Sequence, residues 1–126
     1  MIRVCLVDDQ TLVRQGIRSL LALDDGIEVV AEAGDGRQAA ELIPQVRPDV
    51  VLMDMVLPGI DGIEAIRRIR AQGAPLSGVA IVGVSGRDSD EKAALTAGAD
   101  AFILKPVSPR VLAQVLAKVL RGRSSL

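Results

Sequence analysis

Five short apolar runs recur along the chain: IRVCLV at 2–7, IEVVAEA at 27–33, VVLM at 50–53, VAIVGV at 79–84 and AFIL at 101–104. The stretches between them carry apolar residues at helical spacing, as in Leu12, Val13, Ile17, Leu20 and Leu21, or Val111, Leu112, Val115, Leu116, Val119 and Leu120. Strands alternating with amphipathic helices restrict the chain to βα units. The first, third and fourth runs are apolar almost without a break, the pattern of parallel strands covered by helices on both faces. That burial accounts for a mean hydropathy of +0.36. Helix punctuation agrees with the alternation. Asp35 with Gln38, Asp61 with Glu64 and Asp88 with Glu91 have capping-box spacing, and Ser108 before Pro109 starts a further helix. Gly98 suits a helix-ending left-handed position, and Gly34 and Gly73 stand at other segment ends. The expected fold is α/β: five βα units, (βα)5, in an open, doubly wound parallel sheet of five strands joined by right-handed crossovers. The 126 residues suit a single domain, with no internal repeat or interdomain linker.

Ligands on such sheets sit outside the carboxyl ends of the strands, where the winding reverses. The residues at or just beyond the ends of these runs are Asp8 and Asp9, Asp54, Ser85 and Lys105. The polar chemistry is thus expected along one edge.

Composition narrows what that edge can do. There is no histidine, so Ser-His-Asp and Cys-His catalysis, histidine metal sites and a phosphohistidine on this chain are excluded. The single cysteine, Cys5, reads as a small core residue and excludes an internal disulfide. Fifteen basic against sixteen acidic residues give a net charge of −1, with no basic run suited to a nucleic-acid backbone. Phe102 is the only aromatic residue, so base-stacking platforms are missing. No apolar stretch approaches the roughly 18 residues of a membrane span, and the first run meets Asp8 and Asp9 too early for a signal peptide. A cytoplasmic location is expected.

With the first and third strands side by side, about 4.8 Å apart, Asp8, Asp9 and Asp54 form an acidic cluster. Two unit charges 4 Å apart repel by about 4 kcal/mol at an effective dielectric near 20, so the cluster needs protons or a cation. A divalent metal is the simpler answer at neutral pH. Oxygen-only donors favour Mg²⁺, with Mn²⁺ as the second choice.

These residues carry a family resemblance. The VDD at 7–9, the D-x-x-x-P-x-x-x-G segment through Asp54, Pro58 and Gly62, the VSG at 84–86 and the Lys105-Pro106 pair together resemble a response-regulator receiver domain of two-component systems. The segments LVRQGIRSLL and DGRQAAELI are most like its NarL/FixJ subgroup, whose members usually carry a LuxR-type helix-turn-helix output. The resemblance spans the chain and implies the strand order 2-1-3-4-5. It implies that Asp54 takes a phosphoryl group from the phosphohistidine of a sensor histidine kinase. Asp9, Asp54 and the Val56 backbone carbonyl would then ligate Mg²⁺, with Asp8 acting directly or through water. Lys105 and the Ser85 hydroxyl would hold phosphoryl oxygens. Pro58, Gly62 and Pro106 would shape loops, the last through a cis bond. Ser85 and Phe102 would act as a switch that changes the face built by the fourth helix, fifth strand and fifth helix, with homodimerisation as one result.

Two departures from the family pattern stand out: Ser85 replaces a common threonine and Phe102 a common tyrosine, which removes a phenolic hydrogen bond. Val56 and Arg87 occupy positions that border the path of hydrolytic water in the family. Two other readings compete with a phosphoacceptor. A haloacid-dehalogenase-type phosphatase needs acids two apart after the first strand, where this chain has Asp8 and Gln10. A receiver-like interaction module would have lost phosphorylation, yet the full set of Asp8, Asp9, Asp54, Ser85 and Lys105 is present. The receiver is expected over 1–121, with 122–126 a frayed end or the start of a linker to an output domain that would supply any DNA binding.

Overall fold

The computed structural model describes residues 1–73 and 78–124. Its elements are β1 (Ile2–Val7), α1 (Thr11–Leu21), β2 (Ile27–Ala33), α2 (Gly36–Val46), β3 (Val50–Asp54), α3 (Gly62–Arg70), β4 (Ala80–Ser85), α4 (Asp90–Ala97), β5 (Ala101–Leu104) and α5 (Pro109–Ser124). All five expected strands form within one residue of the expected bounds. They make one sheet of order β2-β1-β3-β4-β5, every pair parallel.

Strand alternation divides the core in two. Cys5, Val7, Val51, Met53 and Ile81 point to one face and pack with Ala39 and Ile43 of α2, Ala65, Ile66 and Ile69 of α3 and Ala94 of α4. Val4, Leu6, Val50, Leu52, Val82 and Ile103 point to the other, against Ile17 and Leu21 of α1 and Leu112, Leu116 and Val119 of α5. Cys5 is fully buried, and desolvation pushes its thiol pKa up to about 12, which makes it an inert core residue.

Some helix positions differ from the sequence expectation. Leu12 is 80% exposed and Val111 41% exposed, because each lies at the rim of its helical stripe rather than beneath it. The Asp35 and Asp61 side chains accept from the N–H groups of Gln38 and Glu64, as the capping spacing implies. Asp88 does not cap α4: the residue before that helix is Ser89, and Asp88 meets Glu91 only through its backbone carbonyl. Gly73 and Gly98 have positive φ, at 78° and 124°. Gly34 does not share it and follows β2, donating its N–H to Gln38 Oε1 at 2.8 Å. A non-glycine ends α2: Arg47 has φ 53° and ψ 63°. The backbone of α5 stays helical through Ser124, and the last two residues of the tail expected at 122–126 lie outside the described residues.

Candidate functional site

The carboxyl ends of β1, β3, β4 and β5 lie side by side and present Asp8 and Asp9, Asp54, Ser85 and Lys105 along one edge. Each is fixed by local backbone bonds. The Asp8 N–H donates to Ala33 at the end of β2, and Asp8 Oδ1 accepts the Gln10 N–H at 2.8 Å, a turn that leads into α1. Arg14 of α1 donates to the Asp8 carbonyl and pairs with Glu32 at 3.3 Å, bracing the acidic loop against β2. Asp54 Oδ1 accepts the Val56 N–H at 3.0 Å. The start of α3 closes on this strand end so tightly that a Cβ on Gly62 would lie 2.3 Å from the Asp54 carbonyl oxygen. Only glycine fits there.

Lys105 comes from the far side of β4. Its N–H donates to the Ser85 carbonyl, its bond to Pro106 is cis, and its ammonium lies 3.1 Å from Asp8 Oδ2 and 3.0 Å from Asp54 Oδ2. Asp8 and Asp54 are buried, whereas Asp9 is exposed. Burial raises the Asp54 pKa above the usual carboxylate value. The Val56 N–H and Lys105 bonds oppose that rise, and the charge of Asp8 adds to it. Burial works against the Lys105 ammonium as well, but its bonds to Asp54 and then Asp8 outweigh that and raise its pKa.

Carboxylate oxygens of Asp8, Asp9 and Asp54 lie within 4.8 Å of one another. Three acids so close, facing one ammonium, leave excess negative charge, and the donors are all hard oxygen. The residues therefore fit a small divalent cation.

Ser85 stands apart from this group. Its side chain is buried at the same edge, but its hydroxyl donates to Asp90 Oδ2 at 2.5 Å and accepts the Arg87 N–H at 3.1 Å. Phe102 is half-buried and packs beside the α2–α4 core, where Gly83 makes room: a Cβ on Gly83 would lie 3.5 Å from the ring, 3.0 Å from Met55 Sδ and 3.2 Å from Ala94. Val56 is exposed, with its N–H committed to Asp54. Pro58 precedes Gly59, whose φ is 71°, in the loop before α3. Asp90 and Arg14 were not singled out by sequence reasoning, and Gln10 was read only as a break in a phosphatase motif. Asp90 had one available signal, an acid in the first turn of a helix beginning five residues after Ser85.

Residues 4–117 match the model of the response regulator receiver domain. The chain belongs to the response regulator receiver domain family. This receiver is 40% identical over 120 residues to the nitrate/nitrite response regulator protein NarP of Escherichia coli strain K12, covering 95% of this chain and 55% of that protein. It is 37% identical over 123 residues to the response regulator protein VraR of Staphylococcus aureus strain Mu3, covering 98% and 58%. The receiver thus spans little more than half the length of these curated relatives. Among solved structures it resembles a LuxR-family two-component response regulator from Aurantimonas sp. SI85-9A1, with a TM-score of 0.87, 37% identity and coverage of 95% of this chain and 85% of that one. It also resembles the signal receiver domain of the response regulator NarL from Mycobacterium tuberculosis, with a TM-score of 0.82, 32% identity and coverage of 94% and 95%. The NarL-type, LuxR-family resemblance read from the α1 and α2 sequences is borne out. Among the described residues, no helix is long and apolar enough to cross a membrane.

Proposed function

We propose that this receiver accepts a phosphoryl group on Asp54 from the phosphohistidine of a sensor histidine kinase, in a Mg²⁺-dependent reaction. The observation that carries the reading is the Lys105 ammonium, 3.0 Å from Asp54 and 3.1 Å from Asp8 beside the converging acids. A phosphoryl acceptor needs a deprotonated oxygen and positive charge aimed at the equatorial oxygens more than it needs a base. Asp54 supplies the oxygen. An Asp54 carboxylate oxygen attacks phosphorus as the P–N bond breaks, and the imidazole nitrogen keeps the bonding pair and takes a proton from solvent. Burial already disfavours the Asp54 anion, so converting it to an acyl phosphate moves charge outward from the strand end.

Lys105 neutralises a phosphoryl oxygen as a compact point charge, and the Ser85 hydroxyl is the donor for another once it turns from Asp90. Asp8, Asp9, Asp54 and the Val56 carbonyl would hold the cation. Mg²⁺, or Mn²⁺ in its place, would supply positive charge that screens the acids from the incoming phosphoryl group. Movement of Ser85 and Phe102 then changes the α4–β5–α5 face. In the full-length protein we assign that change to homodimerisation and to transcriptional control through a DNA-binding output domain, all in the cytoplasm.

Intact-mass spectrometry after incubation with a small acyl phosphate, with and without Mg²⁺, tests the reading. One Mg²⁺-dependent phosphoryl addition is expected on the wild type and none on Asp54→Ala. A folded wild type that gains no mass under any donor would be a phosphorylation-independent interaction module instead.

A further inference from the structure

Ser85 is buried, with 1% of the residue exposed, and the single proton of its hydroxyl serves one acceptor at a time. That acceptor is Asp90 Oδ2 at 2.5 Å, in the first turn of α4. Asp90 also accepts from the Arg87 guanidinium, Nε at 3.2 Å and Nη2 at 3.3 Å, while the Arg87 N–H donates back to Ser85 Oγ at 3.1 Å. Ser85, Arg87 and Asp90 therefore form a closed ring of hydrogen bonds just beyond β4. A phosphoryl oxygen on Asp54 would need the same Ser85 O–H that now donates to Asp90.

Resting on the phosphoacceptor reading above, we propose that Asp90 is a positioning residue that competes with the phosphoryl group for the Ser85 hydroxyl. The strength of Asp90 as an acceptor then sets how readily the receiver reaches its phosphorylated arrangement. Three features make this ring a reversible latch. The contested bond is charge-assisted, which makes it one of the stronger side-chain hydrogen bonds. Asp90 is not stranded when Ser85 leaves, because the exposed Arg87 guanidinium stays on both of its oxygens. Finally, Asp90 opens α4, whose one buried residue is Ala94, so the Ser85 bond ties the first turn of that helix directly to the end of β4. A bond change at the site is thereby passed to a helix of the output face.

Isothermal titration of the receiver with beryllium fluoride and Mg²⁺, a non-covalent phosphoryl analogue, tests the latch. Wild type must break the Ser85–Asp90 bond to bind. Asp90→Ala should therefore bind about tenfold more tightly, the equivalent of one hydrogen bond to a charged group. Asp90→Asn, which keeps the shape with a weaker acceptor, should fall between and carries the test if Asp90→Ala fails to fold. In a Ser85→Ala background the Asp90→Ala effect should shrink below about twofold, since the contested proton is gone. A gain of equal size in that background would assign the effect to removal of a negative charge and overturn the latch, as would unchanged affinity in Asp90→Ala. No binding to wild type would overturn the phosphoacceptor reading itself, and the latch with it. In the free Asp90→Ala protein, the Ser85 and Ala94 amide NMR signals should lie part-way toward their wild-type analogue-bound positions. If they stay at the free wild-type positions, the latch is also overturned.

Discussion

Asp54 is held where its charge is disfavoured, and that cost can be read without any phosphodonor. Its folded pKa is raised, with burial as the leading cause. The folded state therefore keeps this proton to higher pH than the unfolded chain does. Stability falls as pH climbs from the ordinary carboxylate value to the raised one, and the penalty is complete above it. Asp54→Asn removes the penalty while Lys105 retains Asp8 as a partner. In metal-free buffer the variant should melt a few degrees above wild type at pH 7, and the gap should close in acid, as read by calorimetry across pH. A variant that melts lower at pH 7 would mean that the Lys105–Asp54 bond outweighs the burial cost. Lys105 has the opposite effect. Its raised pKa marks stability present below the ordinary lysine value and lost as pH rises through the folded one. Lys105→Ala leaves two buried acids without their shared cation. Because the lysine side chain is partly exposed, a loss of about 1–3 kcal/mol is expected in urea unfolding at pH 7. The loss should shrink in acid, where Asp54, whose pKa is raised by burial, takes up its proton and no longer needs the ammonium.

The elements bring these residues together through contacts that tolerate little change. A Cβ on Gly62 would stand 2.3 Å from the Asp54 carbonyl and 2.7 Å from Met55 Cα, both backbone atoms at the end of β3. Gly62→Ala must therefore displace the start of α3 or the strand end that carries Asp54. It should cost well over the roughly 1 kcal/mol of an average substitution, and it should slow phosphoryl acceptance even at temperatures where circular dichroism shows a folded protein. Normal acceptance in a folded Gly62→Ala would mean that the α3 start can shift without disturbing Asp54. The strands were legible in the sequence because parallel strands buried on both faces must be apolar along their length, as β3 and β4 are up to the polar residues Asp54 and Ser85 at their carboxyl ends. Their order was not legible from periodicity, which is local, and came only with the family resemblance. The Asp88 capping spacing misled because spacing reports which side chains can reach a helix start, not where that start falls. Asp8, Asp54 and Lys105 could be read from their places at strand ends. The hold of Asp90 on Ser85 could not, since it depends on the rotamer of one hydroxyl across a turn.

At the scale of the whole molecule, the site and the fold draw on the same free energy. The β1 and β3 ends that carry Asp8 and Asp54 are also central strands of the core, so repulsion among the acids acts on global stability. A cation that binds only the folded edge must then stabilise the entire receiver, by about 2.7 kcal/mol at a concentration one hundred times its Kd. Asp9 separates this linkage from packing, because it is exposed and contributes nothing to either core cluster. Asp9→Ala should leave the metal-free Tm close to wild type and abolish most of the rise with Mg²⁺. Asp54→Asn should start from a higher metal-free Tm and gain less from the ion, because it has already lost one of the charges that the ion offsets. Calorimetric titration of the three proteins with Mg²⁺ checks both halves. An equal rise in all three would place the ion elsewhere on the surface. Loss of the rise in Asp9→Ala alone would show that the cation sits at the loop after β1 without engaging Asp54, which would separate metal binding from the proposed phosphoryl site.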